Sequence, residues 1–366
     1  MFITKTPSAS LLTSHISRCI ERTGKTTPIA RHITSIRGPV IQCNSTLRLR
    51  QLNRQFATCS PAKAEYNMSS DDASHHNNPE FELSRVFNVS GKIALVTGAG
   101  TGIGLMATQA LAVNGAKVYI CGRTREKLDK VAHTYGQGIR GQIIPITCDI
   151  TKKDEIAKMY EEIASKEKCL DILINNAGIS TKTFQTEASS AEEMKKNLFE
   201  NEEATFQDWD DVYRTNVTQC YFTTMCFLPL LQKSTEVNRG WSACVTNITS
   251  ISGEVKTSQH HPQYNASKAA EIHLTRMLAQ EIQINGLKVR VNSIAPGVFP
   301  SEMTAGDSGA NQKSHVPKEK FEGKVPADRP GHDRDMAGAI LFTVTNQYLN
   351  GQTVAVDGGY TLMAGR

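Results

Sequence analysis

Lys92-Ile93-Ala94-Leu95-Val96-Thr97-Gly98-Ala99-Gly100-Thr101-Gly102-Ile103-Gly104-Leu105 is the stretch that decides the fold. Ile93 to Val96 is a short apolar run of the kind that forms a fully buried strand. A glycine-dense turn follows, and Leu105 to Ala116 continues as an apolar-periodic helix of small residues. Strand, glycine turn and helix together set unpaired backbone N–H groups and the positive end of a helix dipole against a phosphate. Side chains at the glycines would block the turn or hold the backbone away from a pyrophosphate. The stretch therefore predicts dinucleotide binding through Gly98, Gly102 and Gly104.

Outward from this turn the chain alternates strand and helix. Lys117 to Cys121, Ile143 to Cys148 and Leu170 to Asn175 read as strands, with helices at Thr124 to Tyr135 and Lys153 to Lys166 between them. Later strands are expected at Ser242 to Asn247, Lys288 to Ile294 and Thr353 to Val356. Such alternation predicts an α/β fold, a doubly wound parallel sheet with helices on both faces, binding its ligand at the carboxyl ends of the strands. Two segments read as insertions: Ser180 to Asp208, acidic and helical over Ala191 to Phe199, and Phe299 to Pro330, rich in Gly, Pro, Lys and Glu. Loops of that length inside a compact domain are commonly functional lids or disordered.

The 366 residues carry a formal charge of +5, unevenly placed. Residues 1–64 hold ten Lys/Arg against the single acid Glu21, a local +9, so the rest sums to −4. The basic charge thus lies outside the segment that folds, which removes the main support for nucleic-acid binding. No run of about 18 apolar residues is present, so no membrane span is expected. Nine scattered cysteines without C-x-x-C spacing read as reduced thiols, with no metal site.

Residues 1–64, rich in Arg, Ser and Thr, have the composition of a mitochondrial transit peptide and read as a disordered extension. Arg54-Gln55-Phe56-Ala57 looks like a matrix-protease site. Translation from Met68 would instead give a cytoplasmic protein. A mature amino terminus near Ala57 marks the first case, and one at Met68 the second. Residues 65–86 read as a linker, and 87–366 as the folded domain.

The chemistry-bearing residues follow. After the second strand, where an acid would bind a free ribose 2′-OH, stand Gly122 and Arg123. A guanidinium there complements a 2′-phosphate, which favours NADP(H) over a solvated strand-end arginine. Asp149 is placed to accept from the adenine amino group, or to act as a helix cap. Tyr264 opens a helix to about Ile284, with Ala269, Ile272, Met277 and Leu278 on its apolar stripe. Tyr264 and Lys268, four residues apart, share a helix face. A free phenol ionises near pKa ~10, and a fixed cation beside it stabilises the anion. Such a pair could protonate a carbonyl oxygen as hydride arrives. Nothing in the sequence places a partner beside His260 or His261, which read as rim or substrate-loop residues, and His273 reads as a packing or surface residue.

In combination these motifs resemble the short-chain dehydrogenase/reductase family over about residues 87–366. Thr97-Gly98 with Gly102 and Gly104 fits T-G-x-x-x-G-x-G rather than G-x-G-x-x-G. Asn175-Asn176-Ala177-Gly178, Asn216 seven residues beyond Trp209, Ser250 three before Gly253, Tyr264-x-x-x-Lys268 and Pro296-Gly297 follow in the family's order. The resemblance implies a Rossmann fold and a homo-oligomer, tetramer or dimer. It also implies roles: Tyr264 as general acid or base, Ser250 bonding the substrate oxygen, Lys268 holding the nicotinamide ribose, and Asn216 fixing a water. Ile103, Asn176, Val298 and Ser301 fall where the family contacts cofactor. The spacing from Ser250 to Tyr264, 14, is one more than is common in the family, so Thr249 and Ser252 stay open as alternatives.

Within the family, the segments Val291 to Met303 and Gly351 to Tyr360 are similar to 3-oxoacyl-carrier-protein reductases, in the fungal group related to rhamnolipid-biosynthesis reductases. The expected reaction is NADP(H)-dependent interconversion of a ketone, including a 3-oxoacyl thioester, and a secondary alcohol. A small ketone, polyol or secondary-metabolite carbonyl is the alternative substrate. A non-catalytic NADP-binding scaffold or sensor is the rival of another class; it expects Tyr264 or Lys268 to be missing, and both are present.

Overall fold

The computed structural model describes residues 77–364. The expected transit peptide and the first part of the linker lie outside these residues. Of the linker, 77–86 is not extended: it holds two short helical turns, Asn78–Phe81 and Leu83–Val86, neither with a buried side chain.

Seven parallel strands form one sheet: β1 (Ile93–Thr97), β2 (Lys117–Gly122), β3 (Gln142–Thr147), β4 (Ile172–Asn175), β5 (Cys244–Ile248), β6 (Arg290–Pro296) and β7 (Thr353–Val356). Their order is β3-β2-β1-β4-β5-β6-β7, so the winding reverses between β1 and β4. That reversal opens a crevice beyond the carboxyl ends of these two strands. The helices are α1 (Gly102–Val113), α2 (Arg125–Tyr135), α3 (Lys153–Lys166), α4 (Ala191–Leu198), α5 (Phe206–Tyr213), α6 (Gln219–Val237), α7 (Pro262–Ile284), α8 (Glu302–Ala305), α9 (Asp333–Thr345) and α10 (Tyr360–Ala364).

A parallel sheet needs helices on both faces, because its strands are apolar on both sides. The core accordingly divides in two. Ala94 and Val96 of β1 pack with Leu105, Leu111, Met336 and Ile340 on one face. Leu95 packs with Ile156, Ile163, Phe227 and Leu278 on the other.

Every expected strand is present, the seventh with the expected bounds and the other six with shifted ends. The fourth begins at Ile172, because Leu170 N–H bonds to Leu230 instead of the sheet. The fifth and sixth run one and two residues further than expected, to Ile248 and Pro296. The first helix starts at Gly102, inside the glycine turn, and stops at Val113. Only Gly115, with φ of +97°, turns the chain back towards β2. The long helix starts at Pro262, since proline suits a first helical turn where no N–H partner is needed. Its stripe needs correction: Ala269 and Met277 are exposed. The buried face is instead Tyr264, Ser267, Lys268, Glu271, Ile272, Thr275 and Leu278.

Candidate active site

The glycine turn forms one wall of a groove of about 640 Å³ that runs from Cys121, Arg123 and Asp149 past Asn176 to Tyr264 and Lys268. Gly98 and Gly102 line it. Gly104 lies beneath: a Cβ there would stand 2.4 Å from Gly98 O and 2.5 Å from Asn176 Nδ2. The helix and turn therefore close on each other only if this position has no side chain.

Two asparagines hold the floor. Asn176 Nδ2 donates to Thr97 O (2.9 Å) and Gly98 O (3.0 Å), tying the end of β4 to the end of β1. Asn175 Nδ2 donates to Asn247 Oδ1 (2.9 Å), tying β4 to β5. At the far end Asp149 accepts from Thr151 N–H and Oγ1–H, an Asx turn ahead of α3, while still lining the groove. Burial opposes its charge, but the Thr151 bonds and the nearby Lys152 and Arg123 cations hold its carboxyl below the ordinary value. Arg123 is exposed and lines the groove, and no described residue bonds or pairs with its guanidinium. Lys127, which sequence reasoning missed, lines the same end and is paired with Glu302 at 2.7 Å.

A second cavity, about 480 Å³, opens on the other side of Tyr264. Ile103, Thr249, Tyr264, Ser301 and Met303 border both cavities. Tyr264 is largely buried, and no described residue hydrogen-bonds its phenol. Lys268 Nζ lies 5.9 Å from the Tyr264 ring centre and donates to Ile248 O (3.0 Å) and Glu271 Oε2 (2.8 Å). Burial alone would favour the neutral amine, but the charges of Glu271 first and Tyr264 second hold Lys268 protonated.

The hydroxyls of Thr249, Ser250 and Ser252 differ in what they bond. Thr249 Oγ1 donates to Ile294 O (2.9 Å), and Ser252 Oγ donates to Gln259 Oε1 (2.6 Å). Ser250 Oγ only accepts, from Ser252 N–H (3.1 Å), so its own hydrogen stays available to the cavity that it lines. Gly253 explains why this turn lies so close to α7, since a Cβ there would be 2.5 Å from the Lys268 carbonyl carbon.

Asn216 sits in a π-helical turn, Arg214–Thr218, between α5 and α6. Such turns recur at functional sites. Its Oδ1 accepts from Ile179 N–H (2.8 Å), and its Nδ2 donates to Ile179 O (3.0 Å) and Ser267 Oγ (3.1 Å). A Cβ on Gly178 would be 3.2 Å from Asn216 Oδ1 and 3.7 Å from Lys268 Nζ, so the two side chains flank one point of the chain.

Val298 lines the second cavity, and Ser301 caps α8 while packing its Cβ against Gly102. Other walls were not foreseen: Ile251, Gln259, Phe321, Val325, Ala327 and Tyr360. His261 also lines this cavity and stacks edge-on to Tyr264, 5.2 Å between ring centres. His260 stays at the rim, its Nδ1 3.5 Å from Glu187. Gln259 and His260 both have positive φ, +51° and +66°, which is costly for residues with a Cβ. Gln259 spans the cavity wall from Ser252 to the Tyr360 hydroxyl, 3.2 Å from its Nε2.

A doubly wound sheet with a glycine turn at its crevice and a tyrosine–lysine pair beyond defines a nicotinamide-dependent oxidoreductase. The family model "short chain dehydrogenase" matches residues 92–312, and this chain belongs to the short-chain dehydrogenase/reductase family. It is 35% identical, over 77% of its length and 95% of the relative's, to the short-chain dehydrogenase/reductase PhomF of Diaporthe leptostromiformis. To the rhamnolipids biosynthesis 3-oxoacyl-[acyl-carrier-protein] reductase of Pseudomonas aeruginosa it is 32% identical, over 75% and 98%.

Among solved structures, the Pseudomonas aeruginosa RhlG/NADP complex superposes with a TM-score of 0.61 at 31% identity, covering 75% of this chain and 98% of that one. A 7α-hydroxysteroid dehydrogenase complexed with NADH and 7-oxo glycochenodeoxycholic acid superposes with a TM-score of 0.60 at 26% identity, covering 75% and 95%. The expected kinship with 3-oxoacyl-carrier-protein and rhamnolipid-biosynthesis reductases is found, and the neighbours include both NADP and NADH complexes.

Proposed function

We propose that this chain is an NADP(H)-dependent reductase of a neutral, largely apolar ketone, acting reversibly on the secondary alcohol. One observation carries the reading: the phenol of Tyr264, without a protein partner, stands where the two cavities meet. A nicotinamide cofactor fits the first cavity on this chain's own terms, through the Gly104 close approach and a cation at the adenosine end that no described residue hydrogen-bonds. When bound, it supplies hydride to the carbonyl carbon.

Tyr264 then donates its phenolic proton to the carbonyl oxygen, and Ser250 donates a hydrogen bond to the same oxygen. Lys268 stabilises the resulting phenolate with its charge and has a third N–H left for a ribose hydroxyl. Protons return to Tyr264 from solvent, along the side where Asn216 and Lys268 flank Gly178. In the alcohol-oxidising direction the same groups run in reverse, with Tyr264 as base.

Arg123 supports the phosphorylated cofactor, since a guanidinium unpaired in the protein is suited to a 2′-phosphate. For the substrate, the second cavity is walled by Ile251, Val298, Phe321, Val325 and Ala327, and its cation Arg329 is already paired with Asp335 at 2.6 Å. A carboxylate or phosphate would find no counter-charge there. The resemblance to a 3-oxoacyl-carrier-protein reductase favours a thioester, but residues 180–208 carry seven acids against three lysines. That net charge of −4 repels an acidic carrier protein, so a small-molecule ketone fits better.

NADPH oxidation against apolar ketones, acetoacetyl thioesters and ketose sugars tests the substrate. Apolar ketones are expected to turn over fastest, and activity confined to sugars or carrier-bound acyl groups contradicts the reading. For the cofactor, Arg123→Ala should weaken NADPH by about 10- to 100-fold, the loss of charge-assisted bonds, and leave NADH within about twofold. Equal losses for the two would take Arg123 out of the recognition.

A further inference from the structure

Glu271 lies one helical turn beyond Lys268 on the buried face of α7, and its side chain is 2% exposed. A carboxylate is rarely so deep without a task or a partner. Its partner is the lysine beside Tyr264. Oε2 accepts from Lys268 Nζ at 2.8 Å, and Oε1 accepts from the Cys220 thiol of α6 at 3.5 Å. The titratable groups facing the pair are Tyr264 on the same helix and Cys220 across from it, with His261 behind the Tyr264 ring. Burial pushes the Cys220 thiol well up, so it is a neutral donor.

Two consequences follow from elementary electrostatics. An ammonium held by Ile248 O and Glu271 has a fixed position and one N–H remaining. Its charge is also offset by an anion on the side away from the phenol, so the reacting tyrosine faces a dipole rather than a full unit of positive charge. For charges roughly two side chains apart and an effective dielectric of about 20, removing such an anion changes the energy of a phenolate by the equivalent of about one pH unit or somewhat more.

We propose that Glu271 is a positioning residue that sets the strength of the Lys268 charge felt at Tyr264, and so biases the site towards keeping its phenol protonated for ketone reduction. This rests on the reductase reading above. Without Glu271 the ammonium would still be held by Ile248 O and favoured by the charge of the Tyr264 phenolate, and a lysine so unopposed would reach the phenolate more easily and favour alcohol oxidation at lower pH. With Glu271 in place the proton stays available to a ketone up to higher pH.

The test is the pH profile of kcat/KM for ketone reduction in the full chain, with Glu271→Gln and Glu271→Asp beside the parent protein. Glutamine keeps a hydrogen-bond acceptor but removes the charge. Its alkaline limb should move to lower pH by about one unit, with NADPH affinity changed less than threefold. Aspartate retreats from Lys268 by one methylene, and its limb should move the same way by a few tenths of a unit. The Asp variant keeps the test open if the Gln variant does not fold, since an unpaired buried lysine is costly. Reduced activity or lower Tm with both limbs unmoved overturns the proposal and leaves Glu271 a structural ion-pair partner. If the parent protein turns over no ketone at all, the reductase reading falls first and this proposal with it.

Discussion

The cofactor groove and the substrate cavity share Tyr264, yet they are made of different materials. The groove is shaped by backbone: the turn from Thr97 to Gly104, the ends of β1, β2 and β4, and asparagines whose amides bond to carbonyls of neighbouring strands. The cavity is shaped by side chains gathered from far along the chain. Gln259, Phe321, Val325, Arg329 and Tyr360 meet there from two connecting segments and the start of α10. Backbone geometry tolerates few residue types at each position, whereas a wall of packed side chains tolerates many. One half of the site can therefore stay constant among relatives while the other changes the molecule that is accepted.

Substitutions in the two regions should accordingly fail in different ways. Gly104→Val has the largest expected effect. Its side chain would have to occupy space already filled by Gly98 O and Asn176 Nδ2. NADPH affinity, read by fluorescence titration, should fall at least about 100-fold, with a lower Tm, because overpacking of this kind costs about 1–3 kcal/mol or more. Affinity within threefold of the parent would show that the turn can relax and would weaken the contrast.

Gln259→Ala lies at the small end. It deletes the link between Ser252 and the Tyr360 hydroxyl without changing what the backbone demands at φ of +51°. The KM for ketone should rise about two- to tenfold, the scale of one or two neutral hydrogen bonds, with NADPH affinity unchanged. A change in NADPH affinity as large as the change in KM would mean that the two regions are not separable.

The same contrast explains what could be read from sequence. T-G-x-x-x-G-x-G is visible because a pyrophosphate-binding turn needs bare backbone, and Tyr264 with Lys268 is visible because helical spacing puts them on one face. Strand centres were legible from apolar runs, but their ends were not: Leu170, for one, spends its N–H group on Leu230 of α6 instead of on a neighbouring strand. The stripe of α7 was misread for a related reason. Apolarity is the usual mark of burial, while this helix buries Lys268, Glu271, Ser267 and Thr275 and exposes Met277. At a catalytic face the usual pattern inverts, and paired polar groups take the inside. Nothing local marks Gln259, Phe321 or Tyr360 as neighbours, because only the fold brings them together.

The measurement that bears most directly on the account is turnover by Tyr264→Phe, paired with its affinity for NADPH. The substitution removes one oxygen at the junction of the cavities and leaves the ring packed against His261. If Tyr264 supplies the proton, kcat for ketone reduction should drop by about 10²- to 10⁴-fold, the scale of general acid catalysis, while NADPH binds within about threefold of the parent. Turnover retained within tenfold would contradict the central claim that the phenol of Tyr264 is the acid.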